Sequence, residues 1–372
     1  MTHQETTTHT MSHLWCIIMA GGLGSRFWPV AGVESPKQFT DVMGTGRTML
    51  QTTFSRMERA VPREHIVIVT GEQYVGTVHG EIDGLEDWQV LGEPLRRNTA
   101  PCIAYAAAVV RERDPEAIVV VTPADHAIFH EERFVADIEQ AVDTVRRHDW
   151  IITLGAQPTR PDTSYGYIQF RDTSSLPESG VRNLHPVVTF TEKPPVEMAR
   201  QMIASGEFFW NTGLLVWTMP TLLEAYRRHL PELADALFRL SSNTSPEDLE
   251  YVYSRCESVS VDNGIMEKAD NVHVMEASFG WSDVETWDSL YGISPHDAKG
   301  NAVISGNVFT YDTRNTLVAL PTDPTKTVVL EGLDGYIVAA SGDTLLVCRR
   351  QSEELIFKFA NDVELKKLID KR

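Results

Sequence analysis

A glycine-rich run with two cations close by is the first place in this chain where residue types and spacing could do chemistry. Met19-Ala20-Gly21-Gly22-Leu23-Gly24-Ser25-Arg26-Phe27-Trp28-Pro29 follows an apolar stretch over 14–19, and Lys37-Gln38 stands eight residues further on. A hydrophobic strand that gives way to glycines offers bare backbone N–H groups to an anion, because glycine allows close approach and φ > 0. Arg26 and Lys37 add positive charge at the same end, a combination suited to a nucleoside triphosphate. Asp125 follows an apolar run and Thr122-Pro123, and Asp283 sits in Trp281-Ser282-Asp283. A carboxylate at the carboxyl end of a strand, as at Asp125, is well placed to hold Mg²⁺. Taken alone, Asp125 could instead close an Asx turn or cap a helix, and Asp283 or Ser282 could cap a helix over 284–290. Lys193, in Phe190-Thr191-Glu192-Lys193-Pro194, is a further cation on a loop that ends a strand.

These residues need a frame that brings distant segments together. Apolar β-rich runs over 14–19, 65–70, 89–92, 117–121 and 150–154 alternate with helical patterns over 48–59, 99–111 and 131–147. In the last of these Phe134, Ile138, Ala141, Val142 and Val145 recur at helical spacing. Such alternation predicts a doubly wound, mostly parallel α/β sheet covered on both faces. Ligands in such sheets collect beyond the carboxyl ends of the strands, where 21–26 and 122–126 both fall. Then follow an extended run over 186–191, a helix over 196–205, an aromatic strand over 208–218 and a long helix over 221–240. Beyond residue 300 short β runs broken by Gly, Asp and Asn predict a small β-rich domain. The absence of a fixed repeat argues against an extended β-helix and leaves room for one or two turns. The organisation expected is a polar tail over 1–13, a main domain over 14–291 and the β-rich domain over 292–372.

The bulk numbers exclude several classes. With 372 residues, 42% hydrophobic and 23% charged, the chain has an ordinary globular composition. A formal net charge of −19 argues against a nucleic-acid or anionic-membrane binder. No apolar run reaches the roughly 18–20 residues that span a bilayer. Cys16, Cys102, Cys256 and Cys348 are scattered without metal-motif spacing, which predicts buried reduced thiols and a cytoplasmic address.

The glycine run fails two common phosphate signatures. Phe27 stands where the dinucleotide fingerprint needs its third glycine, and no Walker A sequence occurs anywhere. G-G-L-G-S-R-F-W-P followed by P-K-Q instead resembles the signature of sugar-nucleotide pyrophosphorylases, specifically the mannose-1-phosphate guanylyltransferases. The resemblance continues through Glu93–Pro101 (E-P-L-R-R-N-T-A-P), V-T-P-A-D-H at 121–126, Y-G-Y-I at 165–168, F-T-E-K-P at 190–194, W-N-T-G at 210–213, G-I-M-E-K at 264–268 and W-S-D-V at 281–284. Related thymidylyl-, uridylyl- and adenylyltransferases share the first glycines but usually lack the Trp-Pro and the Gln after Lys.

The resemblance implies a Rossmann-like, GT-A-like nucleotidyltransferase fold and a Mg²⁺-dependent reaction of GTP with α-D-mannose 1-phosphate, giving GDP-mannose and pyrophosphate. It implies that Gly21, Gly22, Gly24, Ser25, Arg26 and Lys37 grip the triphosphate, with Glu93, Asn98 and Thr99 near the guanine. Gly166, Tyr167, Glu192, Lys193, Asn211 and Gly213 would take the sugar phosphate, and Asp125 and Asp283 the metal. Arg26, Lys37 and Asp125 would carry catalysis through positioning and charge, since both reactants are anions. His126 is expected to pack or support, because a phosphate already ionised needs no general base. Tyr167 and Trp210 could also be core residues. Two departures stand out: Glu285 where the family usually has Gly, and Asn263 where it commonly has Tyr. A single activity is expected, without the isomerase domain some relatives carry, and the β-rich end could form a homodimer face. The competing readings are another sugar or base, a non-catalytic sugar-nucleotide sensor, and an NAD-linked oxidoreductase.

Overall fold

The computed structural model describes residues 13–22, 24–172, 183–321, 323 and 325–370, with the side chains of Ser25 and of 367–370 outside that set. The expected tail therefore lies, but for His13, outside the described residues. The chain divides into two compact units. One holds the residues up to Gly21, Phe54–Ala124 and Ile128–Trp281; the other holds Gly22–Thr53, Asp125–Ala127 and Ser282–Arg372. This division does not follow the expected boundary near 291, because two short excursions out of the first unit belong with the C-terminal segment.

The first unit is built on nine strands: β1 (Leu14–Ala20), β2 (Ile66–Gly71), β3 (Val90–Glu93), β4 (Ile118–Pro123), β5 (Ile151–Ala156), β6 (Gly166–Phe170), β7 (Leu184–Glu192), β8 (Phe208–Thr218) and β9 (Val272–Glu276). They lie side by side in the order β3-β2-β1-β4-β8-β5-β9-β7-β6. β1 to β4 are mutually parallel, as are β5 and β9, while β8 and β7 run against their neighbours. The sheet is therefore mixed: the aromatic strand β8 enters it antiparallel between β4 and β5.

Every residue of β2 and β5 is buried, and β1 is nearly so. Strands covered on both faces read as continuous apolar runs, which is why these were legible without alternation. On one face Trp15, Ile17, Val67, Val119 and Trp217 pack with the helix Thr99–Arg113 and with the helices that follow β8. That helix is buried without a break from Ala100 to Val110, and its run of alanines lets it lie close to the sheet. The helix Glu131–Val145 packs against β4, β5 and β8 through the apolar stripe expected for it. The predicted helix over 221–240 is two helices, Met219–His229 and Pro231–Leu237. Leu230 is forced out of helical geometry (φ −137°, ψ 56°) because it precedes Pro231, which then opens the next helix.

In the second unit short strands stack in parallel. β10 (Ala302–Ser305), β12 (Leu317–Ala319) and β14 (Tyr336–Ser341) form one ladder, and β11 (Val308–Tyr311) and β13 (Val328–Glu331) another. β15 (Thr344–Arg349) closes the first ladder as an antiparallel hairpin with β14. Ala302 pairs with Leu317 and Leu317 with Ile337, so the spacing is uneven and no fixed repeat shows in the sequence. The core of this unit joins Ala302, Leu317 and Ile337 to Phe27, Trp287 and Leu290. A C-terminal helix, Ile356–Asp370, was not expected.

Gly155 marks a tight strand crossing. A Cβ there would stand 2.6 Å from Phe209 Cβ and 2.8 Å from Val274 Cγ2, atoms fixed by the neighbouring strands. Gly155→Ala should lower stability by about 1–3 kcal/mol, the usual range for overpacking, read as the urea midpoint. A change within about 0.5 kcal/mol, the level of an ordinary surface substitution, would contradict this packing.

Candidate active site

The predicted site residues gather in two clusters, one in each unit. In the second unit the glycine run wraps around Lys37. Gly24 has φ +61°, and a Cβ there would lie 2.4 Å from Lys37 Cβ and 2.7 Å from its backbone nitrogen, so only glycine fits. At Gly22 a Cβ would meet nothing closer than Asp125 Oδ2 and Gln38 Oε1, both at 3.8 Å. Buried Gln38 donates to the Gly22 carbonyl at 3.0 Å. Phe27, which breaks the dinucleotide fingerprint, is fully buried with its ring centroid 5.0 Å from that of Trp287.

Lys37 is only 5% exposed. Its ammonium lies 2.8 Å from Asp125 Oδ2 and donates to the carbonyls of Asp283 at 2.8 Å and Val284 at 3.0 Å. Three acceptors occupy all three of its N–H donors. Here, then, Lys37 is a tie among protein oxygens, whereas the sequence pointed to an open cation for the triphosphate. Arg26 is half-exposed and pairs with Glu285.

The turn that carries Asp283 is strained. Val284 has φ +47°, rare for a β-branched residue. Lys37 holds the carbonyl on each side of that φ/ψ pair, and Asp283 Oδ1 accepts the Glu285 N–H at 3.1 Å. Neither Asp283 nor Ser282 caps a helix. The helix is Trp287–Ile293, and Thr286 caps it with Ser289 in a reciprocal pair. Once the Asp283 carboxylate is committed to the Asx turn at Glu285, the next hydroxyl takes the cap.

Burial pushes Asp125 up, but the Lys37 ammonium and His126 outweigh it and leave the carboxyl below its usual range. Burial pushes Asp283 up to about 7; Lys37 pulls against this, and Glu285 and Asp125 add to it. Both carboxylates offer hard oxygen donors of the kind that suits a hard divalent cation. His126 Nε2 is 4.0 Å from Asp125 Oδ1, beyond hydrogen-bond distance, and favours the charged form of that carboxylate.

In the first unit Asn98, Thr99, Gly166, Tyr167, Glu192, Lys193 and Asn211 line one pocket of about 460 Å³. A Cβ at Gly166 would stand 2.7 Å from Glu192 Oε2, the mobile end of a half-exposed side chain, and 3.4 Å from Asn211 Cβ. Asn211 accepts the Gly213 N–H at 3.0 Å and donates to Asp262 Oδ1 at 2.9 Å, which locks its amide. Gly213, at φ +69°, makes the kink in β8 that allows the first of these and does not itself line the pocket. Lys193 has φ +46° and its ammonium stands 3.9 Å from Glu192 Oε1. Tyr167 is fully buried, its hydroxyl donating to the Asp162 carbonyl, and Trp210 is buried with it, so both also serve the core. Asn98 caps the helix Thr99–Arg113, and Thr99 Oγ1 accepts the Val261 N–H. Glu93 stands apart: it is buried, accepts from the Tyr253 hydroxyl at 3.1 Å and does not line the pocket, because β3 ends with this side chain turned into the core.

Residues 15–300 match the family described as nucleotidyl transferase. The chain belongs to the nucleotidyl transferase family. A protein of Escherichia coli K12 described as mannose-1-phosphate guanylyltransferase is 34% identical over 95% of this chain and 74% of its own length. One of Salmonella typhimurium described as mannose-1-phosphate guanylyltransferase ManC is 32% identical over 94% and 73%. A crystal structure from Thermus thermophilus, described as a mannose-1-phosphate geranyltransferase, superposes with a TM-score of 0.81 at 29% identity, covering 95% of this chain and 99% of that one.

For a nucleotidyl transferase the structure adds two residues that sequence reading passed over. Arg96 is exposed and donates to the Gly21 carbonyl at 2.9 Å. It lay within E-P-L-R-R-N-T-A-P, but nothing local distinguished it from Arg97, which instead holds the carbonyls of Tyr253 and Ser254. Asp262 lines the pocket and holds Asn211 from the start of a single π-helical turn, Asp262–Met266, a geometry common at functional sites. Asn263, standing where Tyr was expected, lines the same pocket and donates to Glu267 Oε1 at 2.7 Å.

Burial raises Glu93 from its ordinary value of 4.5 to about 7, against the hydrogen bond from Tyr253. Between those values the folded chain binds the proton more tightly than the unfolded chain. The stability Glu93 contributes is thus complete below about 4.5 and lost as pH rises through about 7. Glu93→Gln removes this dependence. From pH 5 to pH 8 the variant should gain up to about 3 kcal/mol relative to the wild type, measured by urea unfolding at both pH values. A difference between the two proteins that does not change with pH would refute it.

Proposed function

We propose that the protein transfers GMP from GTP to α-D-mannose 1-phosphate, forming GDP-mannose and releasing pyrophosphate. The observation that carries this reading is the first unit's pocket, where a locked amide (Asn211), carboxylates (Glu192, Asp262) and one ammonium (Lys193) surround a space of about 460 Å³. That set matches a small ligand with several hydroxyls and one phosphate. The relatives described as mannose-1-phosphate guanylyltransferases support the choice of sugar and base.

The chemistry is an in-line displacement. An oxygen of the sugar phosphate attacks the α-phosphorus of GTP, that P–O bond forms, and the bond to the β-phosphate oxygen breaks with pyrophosphate as leaving group. The nucleophile is ionised at neutral pH, so the protein supplies position and charge and need not remove a proton. Lys193 holds the sugar phosphate, while Glu192 and Asn211 take its hydroxyls. Gly21, Gly22, Gly24 and Ser25 present backbone N–H groups to the triphosphate, and Arg26 meets its charge. Lys37 acts by fixing Asp125 and the turn at Asp283. Asp125 and Asp283 would hold Mg²⁺, which would supply positive charge against the phosphates. Asn98 and Thr99 contribute to the base side, with Glu93 supporting them from the core. A doubly wound arrangement, with ligands beyond the strand ends, belongs to the same reading. So does a nucleotidyltransferase domain over 14–291 with a β-rich domain over 292–372, supported by the family match over 15–300. The four free buried cysteines fit a reducing, cytoplasmic setting, and a homodimer completes the proposal.

With GTP, Mg²⁺ and mannose 1-phosphate the protein should release pyrophosphate at least tenfold faster than with ATP, UTP or dTTP, or with glucose 1-phosphate. Equal rates across the nucleotides or sugars would overturn the specific reading, and no release above background with any pair would leave a binding protein in its place.

A further inference from the structure

The second unit contains a carboxylate that its proposed chemistry does not use. Glu285 stands two residues after Asp283 and pairs with Arg26, the half-exposed cation of the glycine run. Its backbone is not free to swing. The Glu285 N–H is bound to Asp283 Oδ1, the preceding Val284 is held at φ +47°, and Lys37 grips the carbonyls of Asp283 and Val284. The following Thr286 is committed to capping a helix. A rigid turn therefore delivers this carboxylate to the guanidinium. Glu353 lies within electrostatic reach of the same arginine and adds negative charge on that side.

We propose that Glu285 is an internal competitor for Arg26. It occupies the guanidinium in the resting protein, and the nucleotide's triphosphate takes Arg26 only by displacing it, so Glu285 sets the affinity of the glycine run for the nucleotide. The inference rests on the reading of Arg26 as a triphosphate ligand. A guanidinium binds carboxylate and phosphate with the same planar fork, so one can replace the other on Arg26. Arg26 is 51% exposed, so a phosphate can approach the guanidinium from solvent while Glu285 holds its other side. Glu285 is thus a positioning residue that acts through Arg26, and its removal should strengthen nucleotide binding.

The test compares wild type, Glu285→Gln, Arg26→Gln and the double variant as full-length proteins, with Glu285→Ala replacing Glu285→Gln should the latter not fold. Two quantities are read: the KM and kcat for GTP with mannose 1-phosphate, and equilibrium binding of GTP without metal, in EDTA. Glu285→Gln should lower the GTP KM and the metal-free Kd about two- to fivefold, leaving the KM for mannose 1-phosphate unchanged. In the Arg26→Gln background the same substitution should change neither. Unchanged or weaker GTP binding in Glu285→Gln would overturn the proposal. So would an equal gain with and without Arg26, which would mean simple repulsion of the phosphates. Failure of the reaction reading is separate: it appears as a wild type that binds GTP but releases no pyrophosphate, and the binding arm still decides the role of Glu285.

Discussion

One buried ammonium organises the second unit. That unit is assembled from three stretches of chain, Gly22–Thr53, Asp125–Ala127 and Ser282–Arg372. Lys37 belongs to the first, its ion-pair partner Asp125 to the second, and the carbonyls it holds, at Asp283 and Val284, to the third. A lysine so buried is stable as a cation only while every donor has a partner, because desolvating an unpaired charge is expensive. The requirement runs both ways. Asp125 keeps its charge because Lys37 is there, and the Val284 backbone keeps its strained conformation because two carbonyls are pinned. The glycine run is shaped by the same side chain, since Gly24 must lie against the Lys37 backbone.

From this constraint the division of labour follows. A lysine whose donors are all engaged cannot also be an open phosphate ligand in the same state, whereas Arg26, on the same glycine run, is half-exposed. The first unit does its positioning differently: the kink at Gly213 and the carboxylate of Asp262 lock the neutral Asn211 amide. Val284 and Lys193, one in each cluster, both take left-handed backbone.

How much of this was legible in the sequence depends on the kind of information each residue carries. The strands and the amphipathic helix Glu131–Val145 could be read because burial on one or two faces writes itself into periodicity. The pocket residues Gly166, Glu192, Lys193 and Asn211 could be read because motifs in family order carried them. What could not be read was set by long-range pairing. The antiparallel entry of β8 depends on neighbours absent from its own pattern, and the uneven stacking of β10, β12 and β14 hides a repeat. The break at Pro231 was visible in principle, but the apolar pattern on both sides of it outweighed the proline. Lys37 looked like a loop cation because nothing near it in sequence announces Asp125 or the carbonyls at 283 and 284. Glu93 looked available to a ligand because burial at the end of β3 has no local signature.

The measurement that bears most directly on Lys37 as the organising tie is a double-mutant cycle on stability. It would combine Lys37→Met with Asp125→Asn and read urea unfolding of the wild type, both single variants and the double. If the buried pair joins the segments as described, each single variant should cost about 3 kcal/mol or more, and the double far less than their sum, with a coupling of about 2 kcal/mol or more. Single-variant costs that add to within about 0.5 kcal/mol would show that the two side chains act independently and would contradict the account.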